Sequence, residues 1–146
     1  ERNAYLVVSG AYSCAMILPG ILVAPFSDER YDDASIYSRI GYVIAHEFAH
    51  TTAFDQYWNK QYTDELLDGY DPSTHVEAIA DVVGIMSIVH TGVADAETVC
   101  ASVSQLWCAR TSFFHPIESW LAHGEASHPA ANVRGGRMCA FLRTHA

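Results

Sequence analysis

Two pairs of residues spaced four apart constrain this chain more than anything else in it: His46 with His50, and Glu77 with Asp81. On an α-helix, residues four apart lie on one face, so each pair must share one side of its helix. The first pair bounds His46-Glu47-Phe48-Ala49-His50, an HExxH pattern in which both imidazoles reach a single metal ion. The second pair bounds Glu77-Ala78-Ile79-Ala80-Asp81, in a stretch that is otherwise mostly apolar. A carboxylate on an apolar helix face is costly unless it is paired or bound to a metal. Both acids are accounted for if Glu77 is a third ligand and Asp81 holds a ligand histidine, His46, through the ring nitrogen turned away from the ion.

Two imidazoles and a carboxylate suit one Zn2+ ion, which accepts imidazole nitrogen at about 2.0–2.1 Å and in catalytic sites keeps its fourth position open for water. Zinc lowers the pKa of that water to about 7, and Glu47, next to the ligand face, is the base that removes the remaining proton during attack on a carbonyl. The expected metal ligands are therefore His46, His50 and Glu77, with Glu47 and Asp81 as the catalytic carboxylates.

The rest of the sequence bounds the setting. At 146 residues the chain is read as one domain spanning 1–146. Half of it is hydrophobic and 17% charged, a composition that folds. Its net charge is -9, and its eight Lys and Arg form no stripe, which argues against nucleic acid as a partner. Between Asn3 and Ser27 there is no charged residue, but Ser9, Gly10, Ser13, Pro19, Gly20 and Pro25 interrupt the run, so buried strands explain it better than a membrane span or signal peptide. Cys14, Cys100, Cys108 and Cys139 permit two disulfides in three pairings and favour an extracellular setting, either secreted or as the ectodomain of a membrane protein; the alternative is four buried free thiols, since Cys also behaves as a small hydrophobe.

Periodicity sketches the order of elements. Tyr5 to Val8, Met16 to Leu18 and Ile21 to Ala24 read as a small amino-terminal sheet, broken by Pro19-Gly20. Asp32 or Asp33 caps a helix with apolar positions Ile36, Ile40, Val43, Ile44 and Phe48. Residues from Asn59 to Tyr70 read as a loop, and Asp71-Pro72-Ser73 starts a second helix that ends near Gly92. Asp95 starts a third through Leu106 and Trp107. A short helix covers Ile117 to Ala122, and Gly124 to Gly136 reads as loop. The resulting fold class is α+β and helix-rich, with the HExxH helix crossing the Glu-bearing helix close to the metal; Gly41 and Gly84 are candidates for letting the two approach.

Taken in order, Asn3-Ala4-Tyr5, Pro19-Gly20-Ile21-Leu22, Ala24-Pro25-Phe26, Val43 to His50 and Glu77 to Asp81 resemble the neprilysin and endothelin-converting-enzyme family of zinc endopeptidases. Gln105-Leu106-Trp107-Cys108 and the six-residue step from His128 to Arg134 extend the resemblance over most of the chain. It implies a zincin-like, gluzincin-type catalytic fold and an oligopeptide substrate. It further implies that Asn3 and Ala4 lie on an edge strand gripping substrate backbone, that His128 donates to the oxyanion, and that Arg134 binds a substrate carbonyl. The stretch from His50 to Glu77 is much shorter than in the family, Thr51 replaces its usual glycine, and Thr51-Thr52 displaces Phe54-Asp55. The family's helical amino-terminal lobe has no counterpart here, so a separate lobe or partner chain is the expected cover for the cleft. The cysteines matching Cys108 and Cys139 pair with that lobe in the family; here they must be free or rearranged, with Cys14 or Cys100 as partners. The expected function is a zinc-dependent endopeptidase; the alternative is a zinc-loaded peptide-binding or decoy protein with little turnover.

Overall fold

The computed structural model describes residues 4–9, 12–51, 60–107 and 131–146. Two short strands, β1 (Ala4–Ser9) and β2 (Tyr12–Ile17), pair antiparallel with Ala4 opposite Ile17 and Ser9 opposite Tyr12. The third apolar run, Ile21 to Ala24, is not the strand that the sequence suggested. A 3-10 turn, Pro19–Ile21, opens it, and Leu22 N–H donates to Pro19 O at 3.0 Å while Phe26 N–H donates to Val23 O at 3.0 Å. Turns consume the backbone groups a ladder would need.

Asp32 caps the next helix, its carboxylate accepting from Ser35 N–H at 2.8 Å. Helix α1 (Asp33–Ile36) continues through a π-helical turn (Tyr37–Gly41) into α2 (Tyr42–Ala49), which carries the HExxH residues. A π turn inserts an extra residue and rotates everything after it about the axis. Tyr42, His46 and Ala49 are thus the buried side of α2, while Phe48, expected inside, is half exposed. Arg39 in the π turn is buried; it donates to Pro25 O at 3.1 Å and to the Gln105 amide oxygen, and lies over the Tyr31 ring.

Helix α3 (Lys60–Leu67) occupies part of the segment expected to be a loop. Five of its eight residues, Lys, Gln, Glu and two Leu, are good helix formers, but with Leu66 and Leu67 its only aliphatic residues its apolar face is too short to be recognised as a stripe. Asp71 caps a 3-10 turn (Pro72–Thr74) that runs straight into α4 (His75–His90), and Gly92, at φ +74°, ends that segment in the left-handed region. Asp95 accepts from Thr98 N–H at 2.8 Å and caps α5 (Ala96–Trp107).

The last element, α6 (Ala131–His145), begins inside the stretch read as loop up to Gly136. Its adjacent Gly135 and Gly136 argue against a helix locally, yet Met138, Phe141 and Leu142 bury one face of it in the core, and tertiary packing overrides propensity. The architecture is therefore helix-rich α+β with one small antiparallel sheet. Helix α4 sits at its centre, touching α2, α3, α5 and α6, which is why its sequence is apolar on nearly every side. Among the described residues, no helix is long and apolar enough to cross a membrane.

The crossing of α2 and α4 decides the geometry of the centre. Gly84 makes it close: a Cβ there would lie 3.1 Å from Tyr42 Cδ2 and 3.2 Å from the His46 backbone nitrogen. Gly41 is less confined, its nearest neighbour being Ile88 Cδ1 at 3.4 Å.

Candidate metal centre

His46 and His50 project from α2 one turn apart, their rings edge to face with centroids 4.8 Å apart. Glu77 faces them from the first turn of α4, where a carboxylate also suits the positive end of the helix dipole. The two Nε2 atoms are 3.2 Å apart. Glu77 Oε2 is 3.1 Å from His46 Nε2, and Oε1 is 3.6 Å from His50 Nε2. Ligands at about 2.05 Å in a tetrahedron are about 3.3 Å from one another, which the His46–His50 and His46–Glu77 Oε2 separations approach, while His50 is met by the other carboxylate oxygen. The three residues are close enough to hold one metal ion. His46 is buried, whereas His50 and Glu77 are only partly covered, so the cluster opens toward solvent on their side.

The far side of His46 is tied down. Its Nδ1 lies 2.8 Å from Asp81 Oδ1, a contact set off the ideal N–H direction. Asp81 is 1% exposed and collects three further donor contacts: Tyr42 Oη at 2.6 Å and Arg134 Nη2 on Oδ1, and Arg134 Nε at 2.7 Å on Oδ2. Burial alone would raise the Asp81 pKa, but the Arg134 guanidinium and His46 hold it well below the usual carboxylate range. Burial alone would likewise lower the pKa of His46; contacts with Asp81 and Glu77 outweigh it and raise it to about 9. With Nδ1 turned to Asp81, His46 presents Nε2 to Glu77 and to His50. A cation belongs among these electron-pair donors, and without a metal the His46 proton is that cation.

The positions expected from sequence divide into three groups. His46, His50, Glu77 and Asp81 come together as expected. Glu47 follows His46 on α2, about 100° around the axis, and is partly covered. Ala4 opens β1, is buried and pairs with Ile17, in a strand that packs against α2. Asn3 and His128 lie outside the described residues. Arg134, expected to bind a substrate carbonyl, is 4% exposed, and its Nε and Nη2 hold the Asp81 carboxylate behind His46. Sequence reasoning missed Tyr42, although it lies four residues before His46 and so on the same helix face.

Of the four cysteines, Cys100 and Cys139 form a disulfide between α5 and α6 with Cα atoms 5.3 Å apart. Cys14 is a free, exposed thiol, and Cys108 lies outside the described residues. No protein-family model, curated protein or solved structure matches this chain.

Proposed function

We propose that the chain is a zinc-dependent endopeptidase that hydrolyses oligopeptides, and that its resemblance to the neprilysin and endothelin-converting-enzyme family reflects shared chemistry. The observation that carries this reading is the convergence of His46 Nε2, His50 Nε2 and the Glu77 carboxylate, close enough to hold one ion and open on one side. Zinc suits a donor set of two imidazoles and one carboxylate better than calcium or magnesium, which prefer all-oxygen shells. Bound there, it supplies a Lewis acid and an acidified water.

The chain's own residues supply the rest. Glu47 accepts the proton of the attacking water and returns it to the leaving amine. Asp81 keeps the His46 ring aimed at the ligand position, and Arg134 and Tyr42 keep Asp81 ionised and oriented. His128 is the expected donor to the oxyanion, and Asn3 and Ala4 the expected backbone partners of an extended peptide. The interhelical disulfide supports an extracellular setting, secreted or as the ectodomain of a membrane protein.

Metal analysis and cleavage of a quenched peptide library test this together. The expected results are one zinc per chain, zinc-dependent cleavage, and a Glu47→Gln variant that keeps the metal and loses about 10²-fold or more in rate. Zinc retention without cleavage by the unaltered chain would support a peptide-binding protein instead. Absence of zinc would end both readings.

A further inference from the structure

We propose that the Cys100–Cys139 disulfide is a thiol-exchangeable site whose reduction loosens α6 and weakens metal binding at His46, His50 and Glu77. This rests on the zinc reading above and adds a control to it. The two cysteines are buried, but they line a groove of about 250 Å³ between α5 and α6, together with Ser104, Gly136 and the paired Glu97 and Arg143. A Cβ at Gly136 would meet nothing within 4 Å, so α6 presents open backbone beside the disulfide. A small thiol therefore has a route toward the sulfurs that their own low exposure does not convey.

Helix α6 depends on its attachments. Two adjacent glycines sit four and three residues before Cys139, and each disfavours helix relative to alanine. Its attachments include the buried face formed by Met138, Phe141 and Leu142, the bidentate grip of Arg134 on Asp81, the disulfide to α5, and more exposed pairs of Arg143 with Glu97 and His145 with Glu65. Arg134 is five residues from Cys139 on the same helix, and Asp81 is the group against His46 Nδ1. The path from the sulfurs to a metal ligand thus runs through one helix and two side-chain contacts. A bidentate guanidinium–carboxylate pair is sensitive to small displacements, so an α6 that has lost its covalent tie and keeps only packing and the exposed Arg143–Glu97 pair to α5 holds Asp81, and through it His46, less firmly.

The chemistry is ordinary exchange with a dithiol. A thiolate attacks one cysteine sulfur, the Cys100–Cys139 bond breaks, and the other cysteine leaves as a thiolate. The reductant's second thiol then displaces the first cysteine and closes its own disulfide, so two electrons pass to the protein and both cysteines end as thiols.

Zinc affinity, read by competition with a chromophoric chelator, tests the link in three samples: the oxidised chain, the chain reduced with a phosphine, and the Cys100→Ala/Cys139→Ala variant. The expected result is about tenfold weaker binding in the latter two, the lower end of what loss of an outer support costs a metal site. The variant has neither of these thiols, which removes direct binding of zinc to the freed sulfurs as an explanation. Reciprocity requires zinc to disfavour reduction of the oxidised chain by the same factor, read as the fraction of disulfide remaining in a glutathione buffer series. If the variant fails to fold, the reduced chain and the buffer series still decide the matter. Equal zinc affinity in oxidised and altered samples, or zinc that leaves the disulfide equilibrium unchanged or promotes reduction, overturns the proposal while one bound zinc per oxidised chain leaves the metal centre standing. An oxidised chain that binds no zinc overturns both.

Discussion

Replacing Gly84 with alanine sets two known effects against each other at the point where α2 crosses α4. Alanine is the better helix former by about 0.8–1.0 kcal/mol in a helix interior, which favours the variant. Against this, the added Cβ would stand 3.1 Å from Tyr42 Cδ2 and 3.2 Å from the His46 backbone nitrogen. Neither neighbour yields easily: one is main chain, and the other is a ring 1% exposed whose hydroxyl donates to Asp81 at 2.6 Å. Overpacking of this kind costs about 1–3 kcal/mol, so the net expectation is a loss of about 0–2 kcal/mol. The helices relieve the contact by separating a few tenths of an ångström. That is comparable with the tolerance of about 0.2 Å on ligand distances, so zinc affinity should fall about tenfold as well. Gly41→Ala is the control, because its contact is the flexible end of Ile88 at 3.4 Å, and it should be neutral or slightly stabilising. Chemical denaturation and chelator competition on both variants give the answer. A Gly84→Ala chain as stable as the parent and equally tight for zinc would refute the argument that this crossing sets the centre.

The remaining predictions concern charge and the disulfide. His46 has its pKa raised from 6.5 to about 9, so in the metal-free chain the stabilisation from its proton is fully present below pH 6.5 and is lost as pH rises through 9, about 3 kcal/mol in all. Zinc must displace that proton, so apparent zinc affinity should climb over the same window; calorimetry at about pH 7.5 in buffers of differing ionisation enthalpy should show proton release, and finding none rejects the assignment. Arg134→Met strands the Asp81 carboxylate in the interior and should cost about 3–5 kcal/mol, with Asp81→Asn/Arg134→Met recovering part of it; a loss under about 1 kcal/mol would mean the pair is not buried as described. Removing the disulfide, which spans a sequence separation of 39 residues, should cost about 4 kcal/mol by the loop-entropy relation, checked by denaturation of the Cys100→Ala/Cys139→Ala variant.

What sequence alone determined was the chemistry-bearing face of each helix. Spacing of four on a 3.6-residue helix is a local property, so His46 with His50 and Glu77 with Asp81 could be grouped without knowing the fold, as could the caps at Asp32, Asp71 and Asp95. Even the missed Tyr42 was within reach of the same rule. Tertiary structure alone decided how the pieces face one another. Helix α3 is too polar for its pattern to show, and α6 carries two glycines that argue against it locally; packing against α4 supports α3, and packing against α4 and α5, together with Cys100–Cys139, supports α6. Arg134 could not be assigned from its neighbours in sequence, because its partner Asp81 is 53 residues away and becomes a partner only when α6 docks on α4. Pairing across such a distance depends on which surfaces are buried together, and a periodic pattern within one segment carries no record of that.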